Sequence, residues 1–290
     1  MAPELEIASF CDLLFILILD FRMADSLGLL CFGDVVGRPG RSLLGRMLPA
    51  LRHRFAAGFV AANCENAAGG LGIERGTAEE MRSAGVDVIT LGDHCWHKKD
   101  FAAYLEENAA VCLRPANYPQ GSPGRGWTIW QGAEGIKIGV MNLIGRLFSN
   151  IPLDCPFRAA DSLLAGPLSE CRVIVCDMHA EATSEKIALA RHLDGRISLL
   201  FGTHTHVQTA DEQILNGGTA LITDLGMCGC GDGVLGMDTA AAIGRFTQGV
   251  PPSYRIASGR SMLNGVYCEV DPRSGRAISI SRIRETEDPS

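Results

Sequence analysis

The sequence predicts an α/β fold, in which short strands alternate with helices along the chain. The main observation is a series of apolar runs of strand length with helical stretches between them. The runs are LGLLCF (27–32), GFVAAN (58–63), VDVITL (86–91), RVIVCDM (172–178) and RISLLF (196–201). The chain has 290 residues, of which 47% are hydrophobic, so it can form one large α/β domain or two small ones.

Three stretches between these runs have the apolar spacing of helices, at residues 41–56, 74–85 and 184–195. In the third stretch, Ser184 is the expected N-cap. Gly195 is the residue expected to adopt a left-handed conformation at the end of that helix.

The last third of the chain has a different character, because strand-like runs predominate in it. These runs are TALITDLG (219–226), GVYCEVD (265–271) and AISISRI (277–283), and a turn-like segment joins the last two. This pattern predicts a second, more antiparallel sheet packed on the first. Since no linker, low-complexity stretch or internal repeat divides the chain, we expect residues 23–290 to form a single domain.

The amino terminus contains the apolar run CDLLFILIL (11–19), which is shorter than the ~20 residues needed to span a bilayer. No Lys or Arg precedes this run, so the basic region of an export signal is missing. We therefore expect residues 1–22 to be an appendage or a misassigned start, with Met23 as the alternative start. Neither export nor membrane association is expected.

Cysteine usage and charge restrict the class of protein further. The eleven cysteines are scattered, and no CxxC pair occurs among them, which is typical of reduced thiols in a cytoplasmic protein. The formal net charge is −7, and no run rich in Lys and Arg is present. The chain is therefore not expected to be a general binder of polyanions.

Polar residues with ligand chemistry follow each of the five apolar runs. They are Asp34, Glu65, Asn66, Asp93, His94, His179, His204 and His206. In α/β folds, ligands bind outside the carboxyl ends of the strands. Alone, Asp34 has an ordinary explanation as a cap and His179 as a core histidine, but the joint occurrence favours a metal site. The set exceeds what one tetrahedral zinc requires and fits two divalent ions bridged by a carboxylate such as Glu65.

The motif Gly202-Thr203-His204-Thr205-His206 places two histidines one residue apart after an apolar run. On an extended segment, residues i and i+2 point to the same side. We therefore expect both imidazoles to face the same site.

These motifs and their order resemble the calcineurin-like metallophosphoesterases, and among them the bacterial YmdB-type branch. The resemblance extends from Leu29 to Ile283 and includes FGDVVGRPGR, NCENAAGGLGI, VDVITLGDH, DMHAEATSEK and GTHTHVQTAD. It implies a four-layer α/β/β/α sandwich with a dinuclear phosphodiesterase centre. The expected cofactors are two divalent metal ions, iron or manganese, with zinc as the alternative.

The resemblance also implies a role for each residue of the site. The implied ligands are Asp34 and His206 for the first metal with Asn66 nearby, Glu65 as the bridge, and Asp93, His179 and His204 for the second metal. His94 would protonate the leaving oxygen while a metal-bridging hydroxide attacks phosphorus.

The expected substrates are 2′,3′-cyclic nucleotides, opened to 3′-nucleotides, or related small phosphodiesters. Short RNA is a second substrate class. The residues that bind the rest of the substrate are not predicted. A homo-oligomer is expected.

Two segments, 92–97 and 228–233, depart from the family pattern, and the first of them supports an alternative function. The chain reads Gly92-Asp93-His94-Cys95-Trp96-His97 where the family usually reads Gly-Asn-His-Thr-Trp-Asp. The alternative is a catalytically weak regulator of the same fold that binds RNA or a partner protein. A metallo-β-lactamase-like hydrolase is disfavoured, because the His-x-His-x-Asp-His continuation is missing. An amidohydrolase is also disfavoured, because its His-x-His would stand near the beginning of the chain.

Overall fold

The computed structural model describes residues 26–132, 135–249 and 255–288. The segment 1–22, predicted to be an appendage or a misassigned start, lies outside the described residues. Within the described ranges, fourteen strands and six helices are present. No helix in this part of the chain is long and apolar enough to cross a bilayer.

The strands are numbered in chain order. They are β1 (Leu27–Phe32), β2 (Asp34–Val35), β3 (Ala57–Asn63), β4 (Val88–Thr90), β5 (Cys112–Leu113), β6 (Trp127–Gln131), β7 (Lys137–Ile144), β8 (Val173–His179), β9 (Leu199–Thr203), β10 (Gln213–Ile214), β11 (Ala220–Ile222), β12 (Met227–Cys230), β13 (Ser261–Val270) and β14 (Ala277–Glu287). The helices are α1 (Gly37–Arg54), α2 (Arg75–Ser83), α3 (Phe101–Glu107), α4 (Pro156–Ala165), α5 (Thr183–His192) and α6 (Thr239–Gln248).

The strands form two sheets with parallel centres. The first sheet has the order β2-β12-β13-β1-β3-β4-β5, and β14 pairs with the other edge of β13. In this sheet β1, β3, β4 and β5 run parallel to one another. The second sheet has the order β10-β11-β9-β8-β7-β6, in which β7, β8, β9 and β11 run parallel.

The predicted grouping of the carboxy-terminal strands is wrong. β13 and β14 belong to the first sheet, because β13 pairs antiparallel with β1 from Leu27↔Val270 to Phe32↔Gly265. β11 belongs to the second sheet and runs parallel to β9. The physical reason is that β13 forms hydrogen bonds with one edge of β1, where the backbone N–H and C=O groups would otherwise lack partners. The second sheet is built mainly from the middle of the chain.

Helices cover the outer faces of both sheets, and the layers meet in three apolar clusters. Between the first sheet and its helices lie residues such as Leu43 and Met81. Between the two sheets lie Phe59, Val140 and others. A third cluster joins the second sheet to helices α4 and α5 and includes Leu189. The fold is therefore a four-layer α/β/β/α sandwich, and this prediction is confirmed.

Strand β1 shows why the apolar runs are continuous rather than alternating. Leu30 and Phe32 face the helices, whereas Leu29 and Cys31 face the second sheet. Because successive side chains of a strand point to opposite faces, a strand covered on both sides needs apolar residues throughout.

The helix predicted at 184–195 corresponds to α5, but its start differs from the prediction. The N-cap is Ala182, and no side chain caps the first turn, so the assignment of Ser184 as the N-cap is wrong. Glu185 lies in this first turn and accepts backbone N–H groups of Arg146 and Leu147 instead. Gly195 has φ +78°, as expected for a left-handed residue beyond the helix.

Candidate metal centre

The candidate site lies at the carboxyl ends of strands from both sheets. In the first sheet, β3 leads to Glu65 and β4 leads to Asp93. In the second sheet, β8 ends at His179 and β9 is followed by His204. Parallel strands present their carboxyl ends at one edge, so residues far apart in the chain meet there.

Four side chains of this edge form one compact group. Ligand atoms of Glu65, Asp93, His179 and His204 all lie within 4.8 Å of one another. Nε2 of His179 is 3.3 Å from Oε1 of Glu65 and 3.1 Å from Oδ1 of Asp93. The same nitrogen is 3.0 Å from Nδ1 of His204. Mixed carboxylate and imidazole donors at this spacing fit a divalent transition metal.

A second group shares Glu65 with the first and consists of Asp34, Asn66 and His206. The Asn66 amide donates to Oε1 of Glu65 at 3.3 Å and lies 3.2 Å from Nε2 of His206. Oδ1 of Asp34 is 3.8 Å from that imidazole nitrogen. Glu65 therefore contacts both groups, which is the position that a bridging carboxylate occupies.

The two carboxylate oxygens of Asp34 have different surroundings. Oδ2 accepts the backbone N–H of His204 at 3.1 Å. Oδ1 is buried and accepts no hydrogen bond from any residue that the structure describes, although Nε2 of His206 lies nearby. A buried carboxylate oxygen without a partner is unfavourable. A cation between Asp34 and His206 would provide that partner, so the donor set fits a metal.

The carboxylates of the site control the protonation of its histidines. Burial alone lowers the pKa of His179, but Glu65, Asp93 and Asp34 outweigh burial and raise it well above its ordinary value. Burial raises the pKa of Glu65, whereas His179 and His94 outweigh burial and hold it below its usual range. The site thus stabilises positive charge, which is the electrostatic requirement for holding cations.

Hydrogen bonds to Nδ1 orient the imidazoles of His179 and His206 in the two ligand groups. Nδ1 of His179 lies 2.9 Å from the Thr203 hydroxyl, which donates to Asp177 at 2.7 Å. Because that hydroxyl has only one proton, it accepts from Nδ1–H of His179 and leaves Nε2 to face the cluster. Nδ1 of His206 likewise donates to the carbonyl of Leu235 at 3.1 Å, which leaves its Nε2 free.

The segment that carries His204 and His206 is a turn. β9 ends at Thr203, and φ is +100° at His204 and +65° at His206, a region that residues other than glycine rarely adopt. The prediction that the two histidines project from one side of an extended segment is therefore wrong. The turn brings His204 to the group around His179 and His206 to the group around Asp34.

A buried ion pair holds this turn in place. Nζ of Lys186 lies 2.8 Å from Oδ2 of Asp224, and both side chains are buried. The same oxygen accepts the backbone N–H of Thr205, between the two histidines, at 3.1 Å. Sequence reasoning did not single out Lys186 or Asp224. Two signals in the sequence were available. Asp224 lies just after β11, and Asp177 is an acid inside the apolar run of β8.

Replacing Lys186 with methionine is expected to destabilise the fold and to lower metal content. The variant leaves Asp224 as a buried charge without its partner, a change that typically costs about 3–5 kcal/mol. Urea unfolding and elemental analysis measure the two effects. Lys137→Met is the control, because Lys137 pairs with Glu170 at the surface, where loss of a pair costs about 1 kcal/mol or less. Equal unfolding free energies for the two variants would contradict this role of Lys186.

His94 lies beside the cluster and faces a cavity. Its Nδ1 is 3.1 Å from Asp93 and 3.2 Å from Glu65, and its side chain is 24% exposed. Its ring packs against that of His97 at a tilt of 35°, with centroids 4.6 Å apart. Burial lowers the pKa of His94, but the hydrogen bonds to Asp93 and Glu65 outweigh burial and raise it to about 10.

Comparison with known proteins identifies the family. The model of the family described as "YmdB-like protein" matches residues 30–283. The chain belongs to the YmdB-like family. This YmdB-like chain is 44% identical over 260 residues to the 2′,3′-cyclic-nucleotide 2′-phosphodiesterase of Bacillus subtilis (strain 168), an alignment that covers 90% of this chain and 97% of the relative.

Solved structures agree with this membership. A hypothetical protein from Thermus thermophilus has a TM-score of 0.84 and 39% identity, with coverage of 90% of this chain and 100% of that chain. A novel phosphatase from Mycoplasma pneumoniae has a TM-score of 0.85 and 34% identity, with coverage of 92% and 95%. The predicted family and the predicted fold are both confirmed.

Proposed function

We propose that this YmdB-like phosphoric diester hydrolase opens 2′,3′-cyclic nucleotides to 3′-nucleotides at a dinuclear metal centre. The observation that carries the proposal is the pair of ligand groups that share Glu65 at the edge of both sheets. The 44% identity to a 2′,3′-cyclic-nucleotide 2′-phosphodiesterase supports the substrate class.

The ligand assignment follows from the two groups. We assign Asp34, Asn66 and His206 to one cation, Asp93, His179 and His204 to the other, and Glu65 to both. Iron and manganese suit these oxygen and nitrogen donors, and zinc suits them as well. When bound, two such cations neutralise phosphate oxygens and lower the pKa of a water for attack on phosphorus.

His94 supplies the proton that the reaction requires. Hydrolysis forms a bond from water oxygen to phosphorus and breaks the bond from phosphorus to the 2′ oxygen, which must then gain a proton. Because Glu65 and Asp93 hold Nδ1 of His94, Nε2 is the nitrogen that can donate to the substrate. We assign to His94 the donation of a proton from Nε2 to the departing oxygen, the role of a general acid.

Product analysis tests the proposed function. Protein purified without oxygen and loaded with metal is incubated with 2′,3′-cyclic AMP, and the products are separated by chromatography. The expected product is 3′-AMP, since the bond to the 2′ oxygen breaks. Formation of 2′-AMP, or hydrolysis of bis(p-nitrophenyl) phosphate without hydrolysis of cyclic AMP, would reject the substrate assignment.

Replacing Asp93 with asparagine restores the amide that the family usually has. We expect activity within about tenfold of the wild type, together with a changed metal affinity or preference, because a charge is lost while an oxygen ligand remains. Titration with iron, manganese and zinc, followed by elemental analysis, measures the change. Asp161→Asn is the control, since Asp161 pairs with surface residues away from the site. Loss of all hydrolysis, or an unchanged metal preference and affinity, would contradict the assignment.

A further inference from the structure

One cavity beside the metal cluster has two chemically different sides. Its volume is about 770 Å³. The polar side includes Glu65, Asn66, His94 and His206. The apolar lining residues, called the apolar side here, are Leu71, Val234, Leu235, Met237, Ala242 and Phe246, and the charged Arg245 of α6 lines the cavity next to Phe246. A ligand that fills this space needs a charged end and an apolar end.

The apolar side is unusually open to water. Phe246 is 83% exposed, Leu235 is 47% exposed and Val234 is 39% exposed. Ala242 and Phe246 are four residues apart on α6, so they share one face of that helix. An exposed aromatic ring at the edge of a ligand cavity is available to stack on a flat group.

Hydrogen bonds fix the apolar side relative to the metal centre. The turn from Val234 to Met237 is closed by two backbone hydrogen bonds of 2.8 and 2.9 Å. The carbonyl of Leu235 in this turn accepts from Nδ1 of the centre's His206. Helix α6 follows at once, and Asp238 caps it by accepting the backbone N–H of Ala241 at 3.0 Å. The start of α6, the helix that carries Phe246, therefore has a defined position with respect to the centre.

We propose that the nucleobase of the substrate stacks on Phe246 in this cavity. The inference rests on the proposed function and deepens it, because it assigns the base of a cyclic nucleotide to one side of the centre. The 2′ oxygen that His94 protonates stays bonded to the nucleoside, so the nucleoside must lie on the side of His94. His94 lines the cavity of Phe246.

A second aromatic residue provides an internal comparison. Phe148 is 86% exposed and lines a smaller cavity of about 290 Å³ on the side of Asp93 and His179. His94 does not line that cavity. The two rings are alike in exposure, and each lines a cavity that His204 also lines, but they lie in different cavities. Removal of the Phe246 ring should therefore weaken binding of the base, whereas removal of the Phe148 ring should not.

The test compares substrates with and without a base. Phe246→Ala is expected to lower kcat/KM for 2′,3′-cyclic AMP by roughly 5- to 100-fold, mainly through KM, which is the range that base–aromatic stacking supplies. Hydrolysis of 1-O-methylribose 2′,3′-cyclic phosphate should be unchanged, since it has no base. Phe246→Trp should retain the wild-type KM because it keeps a ring. Phe148→Ala should leave both substrates unaffected.

Direct binding separates this inference from the proposed function. Calorimetric titration with 3′-AMP and with inorganic phosphate does not depend on turnover. In Phe246→Ala, the Kd of 3′-AMP should rise by roughly 5- to 100-fold while that of phosphate stays constant. If cyclic AMP is not hydrolysed, the proposed function fails and this titration still decides the stacking role. Equal changes for both ligands, no change for either, or a larger effect of Phe148→Ala would overturn the inference.

Discussion

Replacing Glu65 with glutamine is expected to abolish phosphodiester hydrolysis and to lower the bound metal below two ions per chain. Glu65 contacts both ligand groups, through His179 in one and Asn66 in the other. An amide has no charge and only one oxygen that can bind a cation, so it cannot bridge two ions. Elemental analysis and hydrolysis of 2′,3′-cyclic AMP measure the two effects on the same preparation.

Two further variants make the Glu65 experiment specific. Glu65→Asp keeps a carboxylate and is expected to retain part of the activity and more metal than Glu65→Gln. Glu107→Gln removes a surface carboxylate that pairs with Arg75, and it should behave as the wild type. Wild-type turnover with two metals bound in Glu65→Gln would show that Glu65 does not bridge.

Replacing His94 with alanine is expected to keep both metals and to slow hydrolysis selectively. For a poor leaving group such as the 2′ oxygen of a ribose, the loss should be about 10²–10⁴-fold, the usual contribution of general acid catalysis. For p-nitrophenolate the loss should be much smaller, because that oxygen hardly needs a proton. Rates with 2′,3′-cyclic AMP and with bis(p-nitrophenyl) phosphate, together with metal content, give the comparison.

The neighbouring His97 is the matched control for His94. Its ring packs against that of His94 and is exposed, but it has no contact with the carboxylates of the cluster among the interactions that the described residues make. His97→Ala is expected to retain activity on both substrates within about tenfold. Equal losses on the two substrates in His94→Ala, with metal content unchanged, would instead assign His94 to phosphate positioning.

The fold could be predicted from the sequence where the signal was local. Strand β1 coincides with the run LGLLCF, since a strand buried on both faces must be apolar throughout. The sheet membership of β13 was not predictable in this way. It depends on pairing between Leu27 and Val270 at opposite ends of the described chain, and no pattern within either strand specifies its partner.

In the candidate site, too, local features were predictable from the sequence and contacts between separate elements were not. Residues such as Glu65 and Asp93 were found because they follow strands, and the carboxyl ends of parallel strands meet. The supporting residues Lys186 and Thr203 were not found, because their roles arise from contacts between separate elements. The left-handed conformations of His204 and His206 also escaped prediction, since glycine is the residue that usually indicates positive φ.

We propose that two cations held around Glu65 support hydrolysis of cyclic nucleotides. The most direct measurement removes metal from the protein with a chelator and restores it stepwise, while hydrolysis of 2′,3′-cyclic AMP is followed. We expect activity to disappear on removal and to return fully at two equivalents of iron or manganese per chain. Activity that survives complete removal of metal would contradict the claim. So would two bound equivalents without hydrolysis of any phosphodiester tested, a result that would indicate a regulatory binding protein of the same fold.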